Sequence, residues 1–159
     1  MLVKNIKIEI DQKYFIDLDE KNYDYYSIFN RNDFINLHLT KDKINYPFHL
    51  KKKNINESLG IFNLTEFKNK HFKSPIAGSF GAIEFSSELP IDIKINFIEK
   101  VLDFITTELK PRIIEVVLSP DIYNLEDNSF SLNTFFRKKF IIDRIETNQY
   151  IDLRKYRLE

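Results

Sequence analysis

The chain contains no cysteine, which excludes disulfides, thiolate nucleophiles and thiolate metal sites and fits a reducing, cytoplasmic location. Glycine and proline are scarce, 3 and 5 among 159 residues. No stretch is rich in either or in serine, so no linker is expected and residues 1–159 read as one domain. Net charge is absent too: Lys+Arg and Asp+Glu both total 24, which removes the global field that draws proteins to nucleic acid or to an anionic membrane. Nor is there a run of about 18 apolar residues, the length a bilayer-spanning segment needs. The opening stretch alternates apolar and charged residues where a signal peptide would be continuously apolar. A soluble protein with no membrane span and no nucleic-acid partner is therefore expected.

What is present suits a packed core: 43% hydrophobic residues, 15 Phe and 8 Tyr, against 30% charged residues for the surface. Ile6, Ile8 and Ile10 alternate with Lys7 and Glu9, the pattern of a half-buried strand. Between Glu20 and Leu39, apolar residues recur at rough helical spacing with a break near Asn30 to Asp33, predicting two short helices. Ile44 to Lys52 and Ser58 to Leu64 read as a strand pair about the turn-prone Asn54-Ile55-Asn56-Glu57. Ile76 to Phe85 is a further apolar run that carries two glycines.

The strongest periodicity follows. Ile91, Ile95, Ile98, Leu102, Ile105 and Leu109 are spaced 4, 3, 4, 3 and 4 apart, a helical stripe that Val101 widens, with Pro90 at its start and Pro111 beyond its end. Ile113 to Leu118 is short, apolar and β-branched, as in a strand buried on both faces. Ser119 to Phe130 reads as a polar loop, Leu132 to Lys139 as a short helix, and Phe140 to Ile145 with Tyr150 to Leu153 as a closing strand pair. The expected order, β-α-α-β-β-β-α-β-α-β-β, excludes a helical bundle and an all-β sandwich and leaves an α/β (α+β) class.

This order is similar to that of the GNAT acyltransferase superfamily. Ser74-Pro75-Ile76-Ala77-Gly78-Ser79-Phe80-Gly81 resembles a Ser-Pro…Gly-Ser-Phe-Gly segment of GNAT-like proteins related to Fem-type peptidoglycan aminoacyl transferases. Ser119-Pro120-Asp121-Ile122-Tyr123 resembles their proline-tyrosine turn. Phe135 to Ile141 stands in the place of their Gly-Phe helix end, with Lys139 where glycine is customary, and Tyr150-Ile151-Asp152-Leu153 resembles a closing strand. The resemblance covers roughly residues 44 to 153 and implies a mixed, mostly antiparallel, splayed sheet flanked by helices. It also implies a groove lined by Ser74, Gly78, Ser79, Phe80 and Gly81 for an amine-bearing small molecule or glycan precursor. Because the family's tandem members share that groove between two halves, it further implies a partner, either a second copy or a separate GNAT-like protein.

Acyl-CoA is the cofactor such a fold implies, with its pyrophosphate on a glycine-rich turn at the start of the main helix. Here that turn reads Phe85-Ser86-Ser87-Glu88-Leu89-Pro90-Ile91-Asp92, with no glycine and no basic residue before Lys94. The usual pyrophosphate motif is thus missing. Two readings stay open: an N-acyltransferase, or a catalytically inactive GNAT-like binding or assembly module.

Each candidate residue has two readings as well. Ser74 to Gly81 either lines a groove or forms a β-bulge eased by its glycines. Glu84, the one carboxylate in the central apolar run, is either a general base in a cleft or a solvent-facing residue. Tyr123 and Tyr150 are either phenolic acids or packed side chains. His38, His49 and His71, 11 and 22 residues apart, match no local metal-ligand spacing and read as surface or half-buried residues. Lys51-Lys52-Lys53 is most simply a solvated strand end.

Overall fold

A computed structural model describes residues 6–18, 26–55, 57–78, 80–81 and 83–145, apart from the side chain of Ile122. The described residues build a mixed sheet of seven strands, with helices packed against it. The chain opens with a hairpin, β1 (Lys7–Glu9) and β2 (Tyr14–Leu18), where the sequence predicts a single strand. The Asp11 carboxylate accepts the N–H groups of Lys13 and Tyr14, both at 2.7 Å, and so closes the turn. A 3-10 turn at Ile28–Asn30 and helix α1 (Asn32–His38) follow, in the predicted helical region.

Strands β3 (Ile44–Lys52) and β4 (Ser58–Phe67) form the predicted pair and the centre of the sheet. The next segment departs from expectation. Instead of one strand over Ile76 to Phe85, β5 (His71–Ser74) and β6 (Ile83–Phe85) both pair antiparallel with β4 and are separated by a loop. Thr65 lies opposite Lys73, yet Phe62 lies opposite Ile83, where an unbroken ladder would place residue 76. Seven residues are extruded, a bulge far longer than the one-residue kind.

Helix α2 (Ile91–Phe104) ends in a wide π turn, Ile105–Leu109, closed by Lys110 in the left-handed region (φ 51°) ahead of Pro111. Its buried face is Ile93, Phe97, Ile98, Val101, Leu102 and Ile105, so the predicted stripe is rotated: Ile91 is exposed and Ile95 half-buried. Strand β7 (Ile113–Val116) returns parallel to β5, which makes β5–α2–β7 the expected crossover. It is an edge strand among the described residues and is half-buried, not buried on both faces. Strands β5 and β7 stay paired through Ser74 and Val116.

Helix α3 (Asp121–Arg137) contains the expected short helix from Leu132 and extends it back over Asp121 to Phe130, which the sequence suggests is a loop. Asn128 holds its first turn by donating to the Ser119 carbonyl (2.6 Å) and the Asp121 carboxylate (3.0 Å), and Asn124 kinks it (φ −161°, ψ 61°). Polar residues that stabilise a helix start thus look like loop residues in sequence. Residues 141–145 are not a strand, and Tyr150 to Leu153 lie outside the described residues.

The two sheet faces differ. One carries Ile16, Tyr46, Phe48, Leu50, Phe62, Leu64 and Phe72 into the main core with α2 and Phe135 of α3. The alternate positions carry Asp17, Asn45, His49, Lys51, Asn63 and Thr65. That second face is also largely buried, and it holds the polar groups on which function must be argued.

Candidate functional site

The loop between β5 and β6 is the segment the sequence marks as a groove. The structure fills it. Ser74 is fully buried, and its carbonyl accepts the Val117 N–H at 2.9 Å while the Gly81 N–H donates to the Val117 carbonyl at 3.3 Å. One residue after β7 therefore clasps both ends of the loop. Gly78 has φ 92°, and a Cβ there would lie 2.5 Å from the Phe29 ring, so glycine is required both by conformation and by the ring's approach. Phe80 packs edge-on against Phe29 at 5.3 Å and stacks on Tyr123 at 5.5 Å. Of the predicted groove residues, Ser74, Gly78, Phe80 and Gly81 lie in this packed loop, and Ser79 lies outside the described residues.

Glu84 is half-buried, with its carboxylate held by three donors. Its carboxylate accepts the Ser27 N–H (2.8 Å), the Ser27 hydroxyl and the Asn30 amide N–H (2.6 Å). Three donors engage the oxygens a general base would need, and they tie the 26–31 segment to β6. Tyr123 is two-thirds exposed, with its ring on Phe80. Tyr150 lies outside the described residues.

The start of α2 is the place where the fold could meet a phosphate. Pro90 caps the helix and has no N–H to offer, and Asp92 lies in the first turn. Lys94, the first basic residue after the turn, is buried. Its ammonium is 2.7 Å from Asp127 of α3 and lies over the Phe85 and Phe130 rings at 5.5 and 5.6 Å. A cation committed to a buried carboxylate contributes little field at the helix end. The residues present do not fit the pyrophosphate of an acyl-CoA.

The polar constellation that sequence reading missed lies on the second sheet face. Ser58 Oγ is 2.6 Å from the Tyr26 hydroxyl, 2.8 Å from His49 Nδ1 and 2.9 Å from the Gly60 carbonyl. That carbonyl can only accept, so a Ser58 hydroxyl donating to it must accept from both Tyr26 and His49. The network thereby assigns the proton to His49 Nδ1. In that arrangement His49 is no base toward Ser58. Beside it, Asn63 Nδ2 donates to the Asn30 side-chain and main-chain oxygens at 3.0 and 3.1 Å, and Thr65 donates to Asn45 at 2.9 Å. His49 is 1% exposed, against the expected surface or half-buried position. Strand alternation was the available signal, since His49 and Asn63 occupy the face opposite Phe48 and Phe62. Among the described residues no group of three or more His, Asp or Glu could hold a metal ion, and no helix is long and apolar enough to cross a membrane.

No family model, curated protein or solved structure matches this chain.

Proposed function

We propose that this chain is a GNAT-like domain whose acyl-donor groove is closed and which acts as a binding or assembly module, not as an acyl-CoA-dependent transferase. The GNAT-like part is supported by chain order: an antiparallel run β2–β3–β4, a crossover through α2, and a parallel pairing of β5 with β7. Loss of donor binding is supported by one observation above the others, the double hydrogen bond of Val117 to Ser74 and Gly81. Those bonds tie the ends of the β5–β6 loop to the residue after β7. The Pro90 cap and the Lys94–Asp127 pair act in the same direction at the helix start. Likeness of fold alone would not confer activity in any event.

Isothermal titration with acetyl-CoA, and with CoA as competitor, tests the reading. No heat up to about millimolar ligand is expected. Micromolar, competable binding overturns it and restores the transferase acting on an amine substrate.

Assembly would use the far edge of the sheet. Strand β7 leaves one side without a paired strand among the described residues. On nearby α3, Leu125, Leu132 and Phe136 fall 7 and 4 residues apart and are exposed. Such an edge and stripe suit a two-fold partner copy. Light scattering over a dilution series should then give twice the 19.1 kDa of one chain. A mass fixed at one chain to high concentration refutes self-association.

A further inference from the structure

A groove of about 530 Å³ opens at the other end of the sheet, on the polar face of β1, β2 and β3. Four lysines (Lys7, Lys51, Lys52 and Lys53) and a single acid, Asp17, line it. The chain as a whole carries no net charge, so an excess of lysine over acid around one concavity makes a local positive field. Within low-dielectric walls that field is focused.

The charges are not equivalent. Lys51 is buried and held by Asp17 at 3.0 Å, so this pair is a fixed, internally neutral part of the floor. Lys53 pairs with Glu9 at 3.1 Å, but both side chains are substantially exposed, and such a contact contributes too little to hold Lys53 back from a better anion. Lys7 lies over the Phe15 ring at 4.6 Å. The groove therefore offers an aromatic floor at Phe15 with ammonium groups at its rim from two separate strands.

We propose that this groove binds a small organic phosphate: an ester whose phosphoryl oxygens take Lys7 and Lys53, drawing the Lys7 ammonium off the Phe15 ring so that the ester's ring or apolar portion lies there. A bare inorganic anion would leave the ring unused, and a neutral aromatic would leave the charges unused. The inference goes beyond the closed acyl-donor groove, from which this site is separated by β4, so neither stands or falls with the other.

The test uses the intact chain and two probes, phenyl phosphate and inorganic phosphate, titrated at low salt with chemical shifts as readout. Phenyl phosphate should bind about threefold or more tightly than inorganic phosphate, with shifts centred on Phe15 and Lys53. The Lys7→Gln/Lys53→Gln variant should weaken it about tenfold, the weight of a charge-assisted contact, at an unchanged urea midpoint. The conservative Phe15→Leu variant should abolish the preference for the ring while leaving inorganic phosphate binding intact. Equal affinity in the lysine variant, or shifts that map elsewhere, overturns the proposal. So does tight binding of a single-stranded oligonucleotide that phenyl phosphate cannot displace, since that would mark a nucleic-acid surface instead.

Discussion

Lys139 offers the sharpest perturbation. It sits just past α3 with φ 66°, in the left-handed region where a Cβ is costly. Its N–H donates to the Phe136 carbonyl at 2.9 Å and the Phe140 N–H donates to Phe135 at 3.0 Å. The Phe140 ring packs on Phe135 at 5.0 Å. These are the two hydrogen bonds and the apolar contact of a Schellman helix end, in which glycine is favoured at the position of Lys139. Left-handed backbone costs an L-residue roughly 1–2 kcal/mol, and the extra freedom of glycine in the unfolded chain returns about 0.5–1 kcal/mol of that. Lys139→Gly should therefore stabilise the protein by about 0.5–1 kcal/mol, or roughly 2 °C in Tm for a chain of this size. Urea unfolding measures it as a higher midpoint at unchanged slope. Lys139→Ala keeps the Cβ and should be neutral within about 0.5 kcal/mol. A glycine variant no more stable than the alanine variant would refute the left-handed helix end.

Three further outcomes follow from the packing and the charges. Ile98→Ala and Leu102→Ala, at positions 0% and 2% exposed, should each cost about 2–5 kcal/mol, whereas Ile91→Ala, at 61% exposure, should cost under about 0.5; similar losses at all three sites in urea melts would contradict the rotated stripe. Lys94→Met should cost about 3–5 kcal/mol by stranding Asp127, and adding Asp127→Leu should regain most of it; a double variant as weak as the single one would show that the pair itself is not the cause. The Lys73 ammonium, 2.9 Å from Glu115, holds that carboxyl below its ordinary range, with burial opposing. A depressed carboxyl stabilises the fold above its unfolded pKa and loses that contribution as pH falls through the folded value. Wild type and Lys73→Gln should therefore differ above the ordinary carboxylate range and converge as pH falls below it, and unfolding curves with a constant offset across that range would count against it.

Elements whose residues face one uniform environment were legible in sequence. Strand β3 was placed to the residue because alternation of Phe48 and Leu50 with His49 and Lys51 has a period no helix shares. The helix over residues 91–104 was found, yet its face was misjudged, since Ile91 and Ile95 fit the spacing while Phe97 fills the core. Periodicity identifies a helix better than it chooses between neighbouring faces. The loop at 75–82 was marked by its glycines but read as part of a strand. What extrudes it is Phe29, nearly fifty residues earlier, and no local pattern carries that contact. The first half of helix α3 was read as a loop because its Asn and Asp residues cap and kink it, and those residue types are shared by loops. Of the site, sequence singled out Glu84, but not Ser27 and Asn30, which consume its lone pairs.

The second sheet face decides where this chain can meet a ligand. Over β3, β4 and β6 it is sealed by the 26–31 segment, through Tyr26 to Ser58, Asn30 to Asn63 and Ser27 to Glu84. A ligand seeking the central strands would have to displace those bonds. Each buried polar group left unsatisfied would cost about 1–3 kcal/mol, and the network holds at least three such links. A small molecule binding there would need to replace every one of them. The rims carry no such cost: the Lys7 groove is open, and the outer side of β7 has no strand beside it among the described residues. A polar layer buried this completely acts as a register lock for the 26–31 segment, because only one alignment satisfies Asn30, Asn63 and Glu84 together. On the proposed reading, recognition falls to the two edges of the sheet and not to its centre, where a catalytic reading would put it.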